Sequence, residues 1–156
     1  MDLDNFWQDG VSPNLSLSDI LVMEAEKRYG CKLPALYLTL LKMKNGYWTN
    51  NLIFPTNLPT TYPDDHVGFE YMNGIGINNE WGSGEFDIFE TEYMTEEWGL
   101  PANIILLCGD GHWWIALDYR RSKEAQVSWI DCEVDEDFIL ANTFEDFVKG
   151  LRSNYG

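Results

Sequence analysis

The residues of this 156-residue chain that could do chemistry are two histidines, three cysteines and 26 carboxylates, and their spacing assembles very little. His66 follows Asp64-Asp65 in what reads as a turn after Pro63, and His112 follows Gly109-Asp110-Gly111. Neither has the H-E-x-x-H spacing that sets two imidazoles on one helix face for zinc. Cys108 stands four residues before His112, as a thiolate–imidazole nucleophile would need. It also completes an apolar run, and turn-forming glycines separate the pair, so Cys108 reads as a core residue. Asp131, Glu133 and Asp135 imitate the first ligands of a calcium loop. The positions that an EF-hand gives to glycine and to its last glutamate hold Glu136 and Asn142, so the segment reads as a solvated acidic link. Gly74-Ile75-Gly76 lacks the third glycine of a dinucleotide fingerprint, and no P-loop is present. Cys31, Cys108 and Cys132 form no C-x-x-C pair, which argues against a disulfide framework or a thiolate zinc site and fits a reducing compartment. No catalytic, metal or cofactor residues are expected. A carboxylate-pair hydrolase survives only as a distant reading.

The carboxylates are informative as a field. From Asn45 to Tyr119 there is no Lys or Arg, yet the stretch holds twelve acids: Asp64, Asp65, Glu70, Glu80, Glu85, Asp87, Glu90, Glu92, Glu96, Glu97, Asp110 and Asp118. The whole chain has a formal net charge of −16. Such a field repels nucleic acid and anionic membrane and speeds encounter with a basic protein. Solubility alone is the competing explanation. Two of the tryptophans sharpen the first reading. Trp81 lies among Glu80, Gly82-Ser83-Gly84 and Glu85, and Trp114 alternates with Trp113 and Ile115 on a strand, so it shares a face with His112 and Asp118. An aromatic ring among carboxylates is the composition of a protein-binding anchor, although both rings could instead be partly buried.

These residues need elements to position them. Apolar residues make up 45% and aromatics 15%, so the chain can bury a core and reads as a single domain over 1–156. No basic leader or apolar run of membrane-spanning length is visible. Residues 1–15 read as an arm or short helical lead-in. Ser16 and Asp19 have capping-box spacing before a helix over Ile20–Tyr29 that ends at Gly30. Pro34 starts a second helix, with Leu36, Tyr37, Leu40, Leu41 and Met43 as its apolar stripe, and Asn45-Gly46 stops it. Leu52–Phe54, Val67–Tyr71 and Phe86–Phe89 have strand texture. Thr91–Trp98 reads as a short helix, Asn103–Cys108, His112–Tyr119 and Ala125–Ile130 as strands, and Thr143 as the cap of a last helix carrying Phe144, Phe147, Val148 and Leu151. Helices, then sheet, then helix describes an α+β fold with an N-terminal helix pair, a central mostly antiparallel sheet and a C-terminal helix.

Three ordered stretches resemble the SUKH superfamily, in its Smi/Knr-like branch. They are Tyr29-Gly30-Cys31-Lys32-Leu33-Pro34 through Leu40-Leu41 to Asn45-Gly46, Pro101 through Gly109-Asp110-Gly111 to Leu117-Asp118-Tyr119, and Ala141-Asn142-Thr143-Phe144-Glu145-Asp146-Phe147. The resemblance implies a compact α+β domain without enzymatic activity. Bacterial members look like immunity proteins that bind a secreted or contact-delivered toxin, often a nuclease, in the producing cell's cytoplasm. Fungal relatives act in cell-wall signalling instead. Its motif residues look structural, with Pro34 as a helix starter, Gly46 as a left-handed cap and Gly109 and Gly111 as turn formers.

The expectation is thus a cytoplasmic immunity protein whose acidic surface neutralises a basic toxin, with no nucleic-acid or membrane partner. The residues expected at that interface are Asp64, Asp65, Glu70, Glu80, Glu85 and Asp87, with Trp81 and Trp114 as apolar anchors. The alternative is a regulatory adaptor that recruits an endogenous basic protein.

Overall fold

A computed structural model describes residues 1–61, 65–76 and 86–154. The order of elements is α1 (Asp19–Tyr29), α2 (Ala35–Met43), β1 (Tyr47–Pro55), β2 (His66–Met72), α3 (Thr91–Trp98), β3 (Ile104–Gly109), β4 (Trp113–Asp118), β5 (Gln126–Asp131), β6 (Glu136–Ala141), α4 (Phe144–Gly150) and the short β7 (Arg152–Ser153). The fold is α+β, with two antiparallel sheets of order β2-β1-β7 and β3-β4-β5-β6. Among the described residues, no helix is long and apolar enough to cross a membrane.

Local chemistry fixes the helices. Ser18, two residues beyond Ser16, caps α1 by accepting from Leu21 N at 3.3 Å. Thr143 caps α4 by accepting from Asp146 N at 3.0 Å. The buried stripe of α2 is Tyr37, Leu40 and Leu41, whereas Met43 points to solvent.

The junction after α2 is closely packed. The Asn45 side chain donates to Leu15 O at 2.7 Å and Ile75 O at 2.8 Å, and accepts from Ile75 N at 2.8 Å. Gly46 lies beside it at φ 88°, where an added Cβ would come within 2.5 Å of Gly74 N. Only glycine allows that backbone to be approached so closely. The Asn-Gly pair therefore pins the N-terminal segment, α2 and the end of β2 together.

Residues 1–15, expected as an arm or short helical lead-in, make a 3-10 turn at Leu3–Asn5, after which Phe6 and Trp7 enter the core and Trp7 Nε1 donates to Leu40 O at 3.0 Å. Two sequence expectations change. Phe86–Phe89 forms no strand. Phe86 has φ 56°, and Asp87 caps a 3-10 turn at Ile88–Glu90 that runs directly into α3. The acidic link is the β5–β6 turn, and it leads into the unexpected strand β6.

The main core lies among α1, α2, α4 and one face of the sheets, with Tyr37, Phe69, Trp129, Phe144 and Phe147 all fully buried. A second cluster of Leu100, Ile104, Leu106, Trp114, Ala116 and Ile130 covers the other face of the four-stranded sheet, with Met94 of α3 packed against it. Both faces being covered explains the nearly unbroken burial of β3, β4 and β5. The sheets meet where Asn73 N and Nδ2 donate to Leu107 O at 2.8 Å and Leu106 O at 3.0 Å.

Candidate interaction surface

The seam between the sheets ends at the turn from Gly109 to His112. The Tyr71 hydroxyl of β2 donates to Gly109 O at 2.5 Å and accepts from Gly109 N at 2.8 Å. Glu70 precedes Tyr71, Asp110 follows Gly109, and both carboxylates are exposed. Burial pushes the Tyr71 hydroxyl pKa up, and the charges of Glu90 and Asp110 push it the same way. Acids from the 3-10 turn and from the β3–β4 turn thus act on Tyr71, while Glu70 of β2 acts on Cys108 of β3.

Two exposed tryptophans are tied to that turn, one through Tyr71 and one directly. Trp48 of β1 is 44% exposed, and its ring stands edge-on to Tyr71 at 5.9 Å and to Phe86 at 5.3 Å. Trp98 ends α3 with 39% exposure, its ring 3.4 Å from where a Cβ on Gly111 would sit. Tyr93, Glu96 and Glu97 continue the exposed surface of α3. Large half-exposed rings beside carboxylates offer desolvation and charge together, the combination that anchors a basic protein surface.

The sequence-expected residues divide unevenly over this surface. Glu70 belongs to it. Asp65 is exposed at the start of β2, with Oδ1 3.5 Å from His66 Nδ1. Asp87 is committed to structure: its Oδ1 accepts from Phe89 N at 2.9 Å and Gly76 N at 3.1 Å, and burial raises its pKa. Trp114 is a correction. It is 3% exposed in the second core, with its indole N–H donating to Gly111 O at 2.9 Å, so its ring is not offered to a partner. Asp64, Glu80, Trp81 and Glu85 lie outside the described residues. Trp48 and Trp98 were missed, because a sequence does not show which rings lie at the margin of a core.

Nor is the cation-free stretch without partners. Arg28 Nη2 meets Glu92 Oε2 at 2.7 Å. Asp118, whose side chain is fully buried, receives Arg120 Nη2 and Arg121 Nη1, each at 2.8 Å, and Ser128 Oγ at 2.6 Å. Burial alone would raise the Asp118 pKa, but these donors outweigh it and hold the carboxyl well below its usual range.

Burial pushes the Cys108 thiol up to about 12, which keeps it protonated. His112 Nδ1 faces Asp131 at 3.3 Å and its Nε2 faces Asp110 at 3.6 Å, so both ring nitrogens address carboxylates.

No curated protein and no solved structure was found to match the chain significantly. The model of the SMI1 / KNR4 family (SUKH-1) matches residues 16–150, a span running from just before α1 to the end of α4. The chain belongs to the SMI1 / KNR4 family (SUKH-1).

Proposed function

We propose that this protein is a cytoplasmic immunity protein that binds and neutralises a cognate bacterial toxin, a nuclease domain with a basic surface, without catalysing any reaction. The observation that carries the reading is the pair of exposed rings Trp48, packed on Tyr71 whose hydroxyl holds Gly109, and Trp98, packed against Gly111, in a region where Glu70, Asp110 and Glu97 are also exposed. A nuclease must attract phosphate, so its substrate surface is basic. An acidic surface with aromatic anchors can cover it, excluding nucleic acid while electrostatic steering speeds association. Family membership supports the reading, since such domains commonly serve in toxin immunity.

The test is protection. Cells expressing each toxin encoded beside this gene should survive when the chain is co-expressed and die with an empty vector. Survival no better than the vector with every neighbouring toxin would reject the reading and favour an adaptor for an endogenous basic protein.

A further inference from the structure

At the same end of the four-stranded sheet, one imidazole stands among three carboxylates. His112 Nδ1 lies 3.3 Å from Asp131 Oδ1 and 3.7 Å from Glu133 Oε2, while Nε2 lies 3.6 Å from Asp110 Oδ1. The acids come from the β3–β4 turn (Asp110), the end of β5 (Asp131) and the β5–β6 turn (Glu133). They differ in kind. The Asp131 side chain is fully buried and also accepts from Thr61 Oγ1 at 2.6 Å and Glu133 N at 3.0 Å. Burial alone would raise its pKa, but the donors from Thr61 and His112 lower it. Asp110 and Glu133 are exposed.

A buried, charged Asp131 holds the proton on Nδ1, which leaves Nε2 as the atom that gains and loses the second one. Nε2 faces Asp110. With the ring neutral, a lone pair is turned toward a carboxylate; with the ring charged, an N–H is. Cys132 donates its thiol to His112 O at 3.1 Å, and burial raises that thiol's pKa, so it adds no charge. Among the described residues, the charged groups acting on the ring are thus all acids.

We propose that His112 is an internal cation that competes with the partner for this surface: protonated, it draws Asp110 and Glu133 onto itself and ties the two turns together; neutral, it releases both carboxylates to the lysines and arginines of a basic protein. The inference rests on the reading of this surface as a partner-binding site. The hydrogen bond to Asp131, followed by the charges of Asp110, Asp131 and Glu133, raises the ring's pKa and moves the switch toward neutral pH. Binding then expels a proton and tightens as pH rises through the ring's transition.

The experiment has two arms, run on the full chain with His112→Gln, Asp110→Asn and, as a histidine control, His66→Gln; His112→Asn replaces the glutamine variant if that fails to fold. The first arm follows the His112 ring by NMR from pH 5 to 9, and expects a pKa above the ordinary value of about 6.5 that falls toward it in Asp110→Asn. The second measures binding of a fluorescent decalysine peptide at low salt over the same range. Wild type and His66→Gln should bind roughly threefold or more tightly above the transition than below it, and His112→Gln should bind tightly throughout. A ring that titrates at or below the ordinary value overturns the proposal, as does binding that ignores pH while the surface still takes the peptide. A peptide bound at no pH overturns the reading of the surface itself, and the proposal with it.

Discussion

The Tyr71 hydroxyl is bonded twice to Gly109, as donor to its carbonyl at 2.5 Å and as acceptor from its amide at 2.8 Å. One side chain of β2 thereby satisfies both backbone groups at the end of β3 and fixes the turn that carries Asp110 and His112. Tyr71→Phe removes the oxygen and leaves both groups without it. A loss of about 1–3 kcal/mol is expected in denaturant unfolding, where an unchanged midpoint would contradict the latch.

Asn45 is expected to matter more than its size suggests. Asn45→Ala removes three hydrogen bonds that join Leu15 and Ile75 to the end of α2. A loss of about 2–4 kcal/mol should appear as a lowered thermal midpoint. Asn45→Asp keeps the acceptor for Ile75 N but sets a buried carboxylate oxygen against the Leu15 and Ile75 carbonyls, and should cost at least as much as Asn45→Ala.

The pH dependence has a defined shape. Asp118 and Asp131 have depressed folded pKa values, so their contribution is complete above the ordinary carboxylate value of about 3.9 and is lost as pH falls through the folded values. His112 has a raised folded pKa, so its contribution is complete below about 6.5 and is lost as pH rises through the folded value. Greatest stability is expected between those limits. Asp118→Asn should cost about 3 kcal/mol at neutral pH and flatten the acid limb, since Arg120 and Arg121 lose a buried counter-charge. Unfolding midpoints measured from pH 2 to 8 check both statements.

Trp48 and Trp98 should separate stability from recognition. Each is more than a third exposed, so Trp48→Ala and Trp98→Ala should each cost less stability than Trp129→Ala, which empties a fully buried site. Each should nevertheless weaken toxin binding by about 2 kcal/mol or more, mainly through faster dissociation. Calorimetric unfolding and surface plasmon resonance on the same variants make the comparison.

The helices were legible because their signals are local. Gly30, Thr143 and the stripe at Tyr37, Leu40 and Leu41 act within a few residues of chain, as do the turns at Gly109 and Gly111, while the cap of α1 is Ser18 and not the expected Ser16. Phe86–Phe89 has the aromatic and β-branched texture of a strand, but Asp87 meets Gly76 N and turns the backbone into a 3-10 helix, a contact across the fold that no local pattern encodes. Strand β6 was hidden by its charges. Glu136 accepts from Trp129 Nε1 at 3.1 Å and Asp137 receives Arg120 Nη1 at 2.6 Å, so residues that read as a solvated link are held by distant partners. Alternation placed Trp114 and Trp113 on opposite faces correctly. It did not show that the second cluster, with Met94 of α3 against it, covers the face Trp114 occupies, nor that the exposed rings would be Trp48 and Trp98.

The central claim is that exposed acids beside the β3–β4 turn and on α3 recruit a basic toxin. The most direct measurement is the association rate of the cognate toxin domain from low to high salt, for wild type and for Glu70→Lys combined with Glu97→Lys. A steep fall with salt is expected for wild type, and a rate at least roughly tenfold lower at low salt for the double variant. A rate that is insensitive to salt and unchanged by the two reversals would contradict the account.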